Sequence, residues 1–377
     1  MALTRSCYRT EFDSCMVSDR ATGAPPHPRS RSATPVRAYR LTGTGRAGMV
    51  DMAPAQPAAG EVVLRVLAAG VCGTDLSLLR NGGRGLKLPV TLGHEIVGEV
   101  VGHGEGVHAP GRGTLVAVYE LLGCGSCAAC TQGEDNVCRD TVPGAIGITT
   151  DGGMADQVVV PARNLVALGR VDPVAAAPLT DAGLTALHAV EHGRRVLEPG
   201  STALVVGVGG LGHLAVQFLQ ATSEARILAV DVDRARLDFA ADIGADDGVI
   251  AGPDAAAGVF AANGGHGIDA VFDFVGSQES LDLAARVARR GGAIVVTGGG
   301  GGRLSITAEM GAGRAPDREV TIVHTFGGTR DDLVRALALA EAGRVGTHTE
   351  AYDLDDAPRA LKDLDAGRVL GRAVLVP

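Results

Sequence analysis

The chain has 377 residues, 46% of them hydrophobic and 20% charged. That is enough for two domains of about 150 residues and excludes a disulfide-stapled mini-protein. A net charge of −9 argues against nucleic acid or an anionic membrane as partner, and no apolar run reaches the roughly 18 residues needed to span a bilayer.

Residues 1–35 mix Arg5, Arg9, Arg20, Arg29 and Arg31 with Pro25, Pro26 and Pro28 and show no sustained periodicity. They lack the apolar segment of a secretory signal and read as a disordered N-terminal extension, with the cytoplasm as the expected compartment. From Val36 the text becomes that of a folded domain. Glycine-punctuated runs, EVVLRVLAAG (61–70), HEIVGEVVG (94–102), GTLVAVY (113–119) and MADQVVVP (154–161), predict a small antiparallel or barrel-like β domain. After Asp181 the rhythm changes. ALVVGVGGLGHLAVQFLQA (203–221) reads as a buried strand, a glycine turn and a helix. Further apolar strands at 227–231, 270–274, 293–297 and 320–324 alternate with helical stretches at 234–245 and 279–290. Such alternation predicts a doubly wound parallel sheet covered on both faces.

The turn GVGGLGH (207–213) sets Gly207, Gly209, Gly210 and Gly212 between a strand and a helix. A glycine triplet alone is weak evidence, but here it stands where a dinucleotide needs it. The first glycine turns the chain, the second admits the pyrophosphate, and the third lets helix and strand touch. The helix N-terminus then offers free N–H groups to the phosphates. Asp231 closes the next strand, placed to accept the ribose hydroxyls and to repel a 2′-phosphate, which favours NAD over NADP; Arg234 and Arg236 lie close enough to soften that preference.

Cys124, Cys127, Cys130 and Cys138 have the spacing C-x2-C-x2-C-x7-C. Four thiolates in one short loop close a tetrahedral zinc site with no open position, and disulfides at such separations have poor geometry. Of the cysteines beyond residue 15 only Cys72, in AGVCGTD, is then left over. With His94, in LGHE beside Glu95, it supplies two ligands of an open catalytic site, which needs about three. Position alone does not select the third. His188 and His192, four apart, lack the glutamate of a zinc-protease helix, and His213 reads as a packing residue.

The order of these motifs, from AGVCGTD through LPVTLGHEIVGEV, the cysteine loop, DGGMADQVVVP, GVGGLGH, AVD and FDFVG to the closing GRAVLVP, resembles the zinc-dependent medium-chain alcohol dehydrogenases over about nine-tenths of the chain. The resemblance implies an α/β plus β fold: a GroES-like β-barrel catalytic domain, residues 36–181 and 325–377, beside a Rossmann NAD-binding domain, 182–324. Two zinc ions per chain and NAD are the implied cofactors. In the family the third catalytic ligand is usually cysteine; here Asp181 takes that place, as in a bacterial subgroup acting mostly on secondary alcohols and ketones. Cys72, His94 and Asp181 would then hold the catalytic zinc, with Glu95 as a supporting or transient ligand and Asp75 orienting His94. Arg372 would reach the pyrophosphate and also contact Asp75. Thr74 would take the proton from the alcohol, with Ser77 where some members carry the relay histidine. Val275, Gly276 and Thr297 would line the coenzyme. Thr74, Ser77, Leu121, Leu122 and residues near Phe326 and Gly327 would enclose a roomy substrate pocket. The implied assembly is a homodimer or homotetramer acting on a small alcohol or ketone. The competing readings are a zinc-free quinone or enone reductase, disfavoured by both ligand clusters, and a non-catalytic NAD-binding protein, disfavoured by three compatible ligands.

Overall fold

In the computed structural model, which describes residues 35–306, 316 and 319–377, the N-terminal half is a set of short strands. They are β1 (Val36–Gly43), β2 (Arg46–Met52), β3 (Glu61–Val71), β4 (Val90–Thr91), β5 (Glu95–His103), β6 (Leu115–Val118), β7 (Leu121–Leu122), β8 (Gly144–Ala145), β9 (Gln157–Pro161) and β10 (Leu165–Ala167). Helix α1 (Gly73–Asn81) follows β3, α2 (Ala128–Thr131) lies in the cysteine loop, and α3 (Pro173–Ala176) precedes Asp181. The long strand β3 organises this half. One edge pairs antiparallel with β5, which leads on to β6 and β10; the other pairs with β9. Val62, Leu64, Ile96, Val116, Val118 and Val158 fill the core of that sheet. The extension read at 1–35 lies, apart from Pro35, outside the described residues.

Helix α4 (Ala182–Gly193) leads into β11 (Thr202–Val206), α5 (Gly212–Thr222), β12 (Arg226–Asp231), α6 (Arg234–Asp242), β13 (Asp247–Ile250), α7 (Ala255–Ala262), β14 (Ile268–Asp273), α8 (Gln278–Val287), β15 (Ala288–Val296) and β16 (Thr321–His324). All six strands are parallel, in the order β13-β12-β11-β14-β15-β16. Alternate residues face opposite sides of a strand, and both sides are apolar here. Leu204, Leu228, Val271 and Ile294 pack on one face, while Val205, Ala229, Phe272 and Val295 pack on the other. The second face shares its core with Ala68, Val97 and Tyr119 of the β half, so one continuous apolar cluster joins the two halves. The helix read over 279–290 stops at Val287. Ala288 turns extended and pairs with Ile268, and Arg289 bonds Asp269 at 2.5 Å.

The chain ends with α9 (Arg330–Glu341), β17 (Thr349–Asp353), α10 (Ala357–Asp365) and β18 (Arg372–Val376). Strand β18 returns to β3, pairing Ala373 with Val71, and so delivers Arg372 to the end of β3. Among the described residues no helix is long and apolar enough to cross a membrane.

Leu204 is fully buried within one face of the parallel sheet. Leu204→Ala should destabilise the fold by about 2–5 kcal/mol, read as a lower urea midpoint with an unchanged denaturant slope.

Candidate functional site

The strand order reverses between β11 and β14, and open parallel sheets bind ligands at the carboxyl ends of strands at such a point. A cavity of about 810 Å³ lies there, lined by Gly207, Gly209, Gly210, Gly212, Asp231 and Val275 among others. Gly207 has φ of +88°, a conformation that side chains disfavour. A Cβ on Gly212 would stand 1.9 Å from the Gly207 carbonyl oxygen, so only glycine lets α5 start against β11. The Asp231 carboxylate, buried at the rim, accepts from the N–H groups of Val208 (2.7 Å) and Asp233 (3.0 Å). It thereby ties the glycine turn to the end of β12. Thr297, just past the end of β15, bonds the Thr325 hydroxyl at 2.8 Å and is not among the residues lining this cavity. Arg236 and Arg286 do line it, whereas Arg234 faces Asp238 on its own helix at 3.9 Å. Arg286 had no local sequence signal, because only the packing of α8 against the sheet brings it there. His213 is buried with Nδ1 on the Gly209 carbonyl at 2.9 Å, and burial lowers its pKa to about 4.

Three distant parts of the chain build a second centre. Cys72 follows β3 and caps α1, His94 immediately precedes β5 and Glu95 begins it, and Asp181 caps α4. One donor atom from each of Cys72, His94, Glu95 and Asp181 lies within 4.8 Å of the others. Asp181 Oδ2 stands 3.3 Å from His94 Nε2 and 3.6 Å from Cys72 Sγ. Asp75 has two tasks. One carboxylate oxygen accepts from the Cys72 N–H at 2.9 Å, completing the cap of α1, and the other faces His94 Nδ1 at 3.5 Å. That leaves Nε2 aimed at the cluster. Burial disfavours a charged His94, yet Asp75 and Cys72 outweigh it and raise its proton affinity well above the usual imidazole range. For Asp181 burial likewise opposes ionisation, but His94 and Arg372 hold its carboxyl below the usual carboxylate range. Such a concentration of donors around one point suits a cation, and thiolate, imidazole and carboxylate are the donor types of zinc sites.

Arg372 reaches the centre from β18. Its guanidinium donates to Glu95 from Nε at 3.0 Å and from Nη2, and Nη2 also lies 3.5 Å from Asp181 Oδ2. The contact expected with Asp75 is therefore replaced by Glu95 and Asp181, because the pairing of β18 with β3 brings Arg372 alongside the first residue of β5. The other side of the guanidinium abuts the coenzyme turn, where a Cβ on Gly210 would stand 2.2 Å from Nη1. Burial pushes Glu95 up to about 7 against the pull of Arg372. Thr74 and Ser77 lie on the exposed side of α1, with Thr74 Oγ1 at 3.6 Å from Cys72 Sγ and Ser77 accepting from Asn81 at 3.2 Å.

Cys124, Cys127, Cys130 and Cys138 also gather within 4.8 Å, and all five described cysteines are free of disulfides. Main-chain N–H groups lower Cys127 to about 6 and lower Cys138, whereas burial pushes Cys130 up to about 12. Asp135 braces the loop by accepting from Gly123 (3.0 Å) and Arg163 (2.8 Å). His188 and His192 meet through their Nε2 atoms at 3.2 Å, and His188 Nδ1 bonds Asp332 of α9 at 2.9 Å.

Besides Arg286, two residues escaped sequence reasoning. Gly70 has no room for a side chain, since its Cβ would stand 1.7 Å from Glu95 Oε2. The only trace in the sequence is a glycine two residues before Cys72. Glu120 is 3% exposed and its Oε2 has no hydrogen-bond partner; within YELLG it looks like an ordinary polar strand residue.

Residues 58–170 match the family model of the alcohol dehydrogenase GroES-like domain, and 210–342 match that of the zinc-binding dehydrogenases. An NAD-dependent alcohol dehydrogenase of Sulfurisphaera tokodaii is 35% identical over 356 residues, covering 91% of this chain and all of that protein. The crystal structure of the alcohol dehydrogenase of Aeropyrum pernix superposes with a TM-score of 0.81 at 34% identity, covering 90% of this chain and 100% of the other. A cobalt- and zinc-bound thermostable alcohol dehydrogenase from Pyrobaculum aerophilum gives a TM-score of 0.79 at 31% identity, over 91% and 100% of the two chains.

Arg372→Met should leave Glu95 buried without its cationic partner and destabilise the protein by about 3–5 kcal/mol. Arg372→Met with Glu95→Gln should recover part of that loss, measured by denaturant unfolding of both variants.

Proposed function

Since the chain belongs to the zinc-dependent medium-chain alcohol dehydrogenases, with a GroES-like β domain and a Rossmann sheet, we propose that it interconverts secondary alcohols and ketones at the Cys72–His94–Asp181 cluster. Residues 36–181 and 325–377 form the catalytic domain in this reading, and 182–324 the coenzyme domain. The enzyme is an NAD-dependent alcohol dehydrogenase. The observation that carries the site assignment is the convergence of four donor groups from three separate parts of the chain.

Cys72, His94 and Asp181 fit zinc by donor chemistry and by the negative charge they concentrate, and Asp181 is the third ligand in this reading. Zinc supplies Lewis acidity that makes the substrate hydroxyl more acidic, and NAD supplies the hydride acceptor. The protein's own groups hold, orient and move protons. Asp75 fixes the His94 ring so that Nε2 stays on the cluster. Thr74, beside Cys72, accepts the substrate's hydroxyl proton; Ser77, one turn on along α1, continues the path to water. Arg372 keeps Glu95 and Asp181 in register with the coenzyme turn and offers its charge to the pyrophosphate. Asp231 holds the adenosine ribose and, with its negative charge, disfavours a 2′-phosphate. The four cysteines of the 124–138 loop hold a second, structural zinc.

Metal analysis of the purified enzyme should give two zinc ions per chain; none would support a zinc-free reductase instead. Asp181→Asn should lose one zinc, keep the other and lower kcat by more than about 100-fold, beyond the usual effect of a group that merely supports a ligand. Cys127→Ser should lose the other zinc and lower the melting temperature. Asp231→Ala should weaken NADH binding by about 10-fold or more, the scale of one charged hydrogen bond, as measured by quenching or calorimetry.

A further inference from the structure

Resting on the assignment of Cys72, His94 and Asp181 as the catalytic centre, we propose that Glu120 selects the substrate. Its carboxyl group would accept a hydrogen bond from a second hydroxyl beside the reacting carbinol, so that vicinal diols and sugar-like polyols are preferred to simple alcohols.

Glu120 lies between β6 and β7, and the chain around it is firmly held. Asn164 donates to the carbonyls of Tyr119 (2.6 Å) and Leu121 (2.9 Å), Ile146 N–H donates to the Glu120 carbonyl at 2.9 Å, and the Tyr119 hydroxyl bonds the Gly328 carbonyl at 2.9 Å. The side chain is therefore placed by a rigid frame rather than left in a loose loop. It is 97% removed from solvent, and Oε2 meets no donor.

Other buried acids of this protein are paired, either with a cation, as Glu95 is with Arg372, Asp135 with Arg163 and Asp332 with His188, or with neutral donors, as Asp231 is with Val208 and Asp233 N–H and Asp273 with Val275 and Gly276 N–H and the Ser280 hydroxyl. Glu120 has no such ion pair among the described residues. The charged groups whose fields reach it are Asp181, His94 and Glu95, all members of the donor cluster, yet Glu120 is not itself one of the four residues whose donor atoms crowd within 4.8 Å. On its other side is the Gly327 backbone, where a Cβ would come within 4.0 Å of Glu120 Oε1 and 2.9 Å of Leu121 Cδ1. The one hydrogen bond to the carboxyl comes from its own backbone N–H, and the unpaired, buried Oε2 still carries a desolvation cost. A substrate hydroxyl would offset it. The same cost explains why the acid should discriminate: a simple alcohol leaves Glu120 Oε2 unpaired, and sites built around a substrate hydroxyl reject analogues that lack it.

The test compares 2,3-butanediol with 2-butanol, equal in carbon count, in the zinc-loaded wild type and in Glu120→Leu and Glu120→Gln, with zinc content and NADH binding measured on each. The wild type should favour the diol in kcat/KM by at least about 10-fold. Glu120→Leu should lose that preference, chiefly through a higher KM for the diol, while 2-butanol is oxidised as well or better. Glu120→Gln retains an acceptor oxygen and should keep most of the preference. Equal losses on both substrates in Glu120→Leu, or an unchanged ratio, would overturn the role of Glu120 while leaving the dehydrogenase reading intact. A fully zinc-loaded wild type that binds NADH yet oxidises neither compound and reduces neither ketone would overturn the underlying reading as well.

Discussion

The buried guanidinium of Arg372 is the point on which the site depends. It is 3% exposed, lies 277 positions from Glu95 in sequence, and contacts Glu95, Asp181 and the glycine turn together. One cation thus spans the start of β5, the cap of α4 and the coenzyme loop. Without it the acids around Cys72 would repel one another at close range in a low-dielectric interior, where charge is poorly screened. With it they remain close while the cluster keeps an excess of negative groups, the condition for attracting a divalent cation. The fold makes this possible by returning its last strand to β3, so that the end of the chain completes a centre begun near residue 72.

Glycine supplies the close approaches on which this arrangement rests. Gly70 leaves space for the Glu95 carboxylate, Gly210 for the Arg372 guanidinium, and Gly212 for the carbonyl of Gly207. At each of these three positions a methyl group would overlap a functional or main-chain atom. The high glycine content therefore has a specific spatial meaning at the junction of the two halves, beyond the many turns that also use it.

Asp181 occupies the mechanical seam between those halves. It caps α4, a helix buried along most of its length, and α4 packs in the apolar cluster that joins Tyr119 and Val97 of the β half to Phe218 and Phe272 of the parallel sheet. Thr185, one turn along α4, donates to the Asp181 carboxylate at 3.3 Å, and His188, on the same helix, reaches Asp332 of α9. A carboxylate anchored in this way has little rotational freedom, which suits a group held to one point between two packed layers.

Much of this was legible in the residues alone. The four-cysteine spacing, the glycine turn ahead of a helix, and the apolar strands alternating with helices are local patterns, because the chemistry they serve needs neighbours in sequence: a loop closing on one ion, a helix N-terminus meeting a phosphate, a strand buried on both faces. Cys72 and His94 were readable from the residues, and Asp75 and Asp181 only through resemblance to a family. The partner of Arg372, the need for glycine at position 70, the place of Arg286 and the isolation of Glu120 had no such signature. Each depends on which strands and helices pack side by side, and contacts between residues far apart in the chain are fixed by the register of β18 on β3, the start of β5 and the seating of α8, quantities that no short stretch of sequence contains.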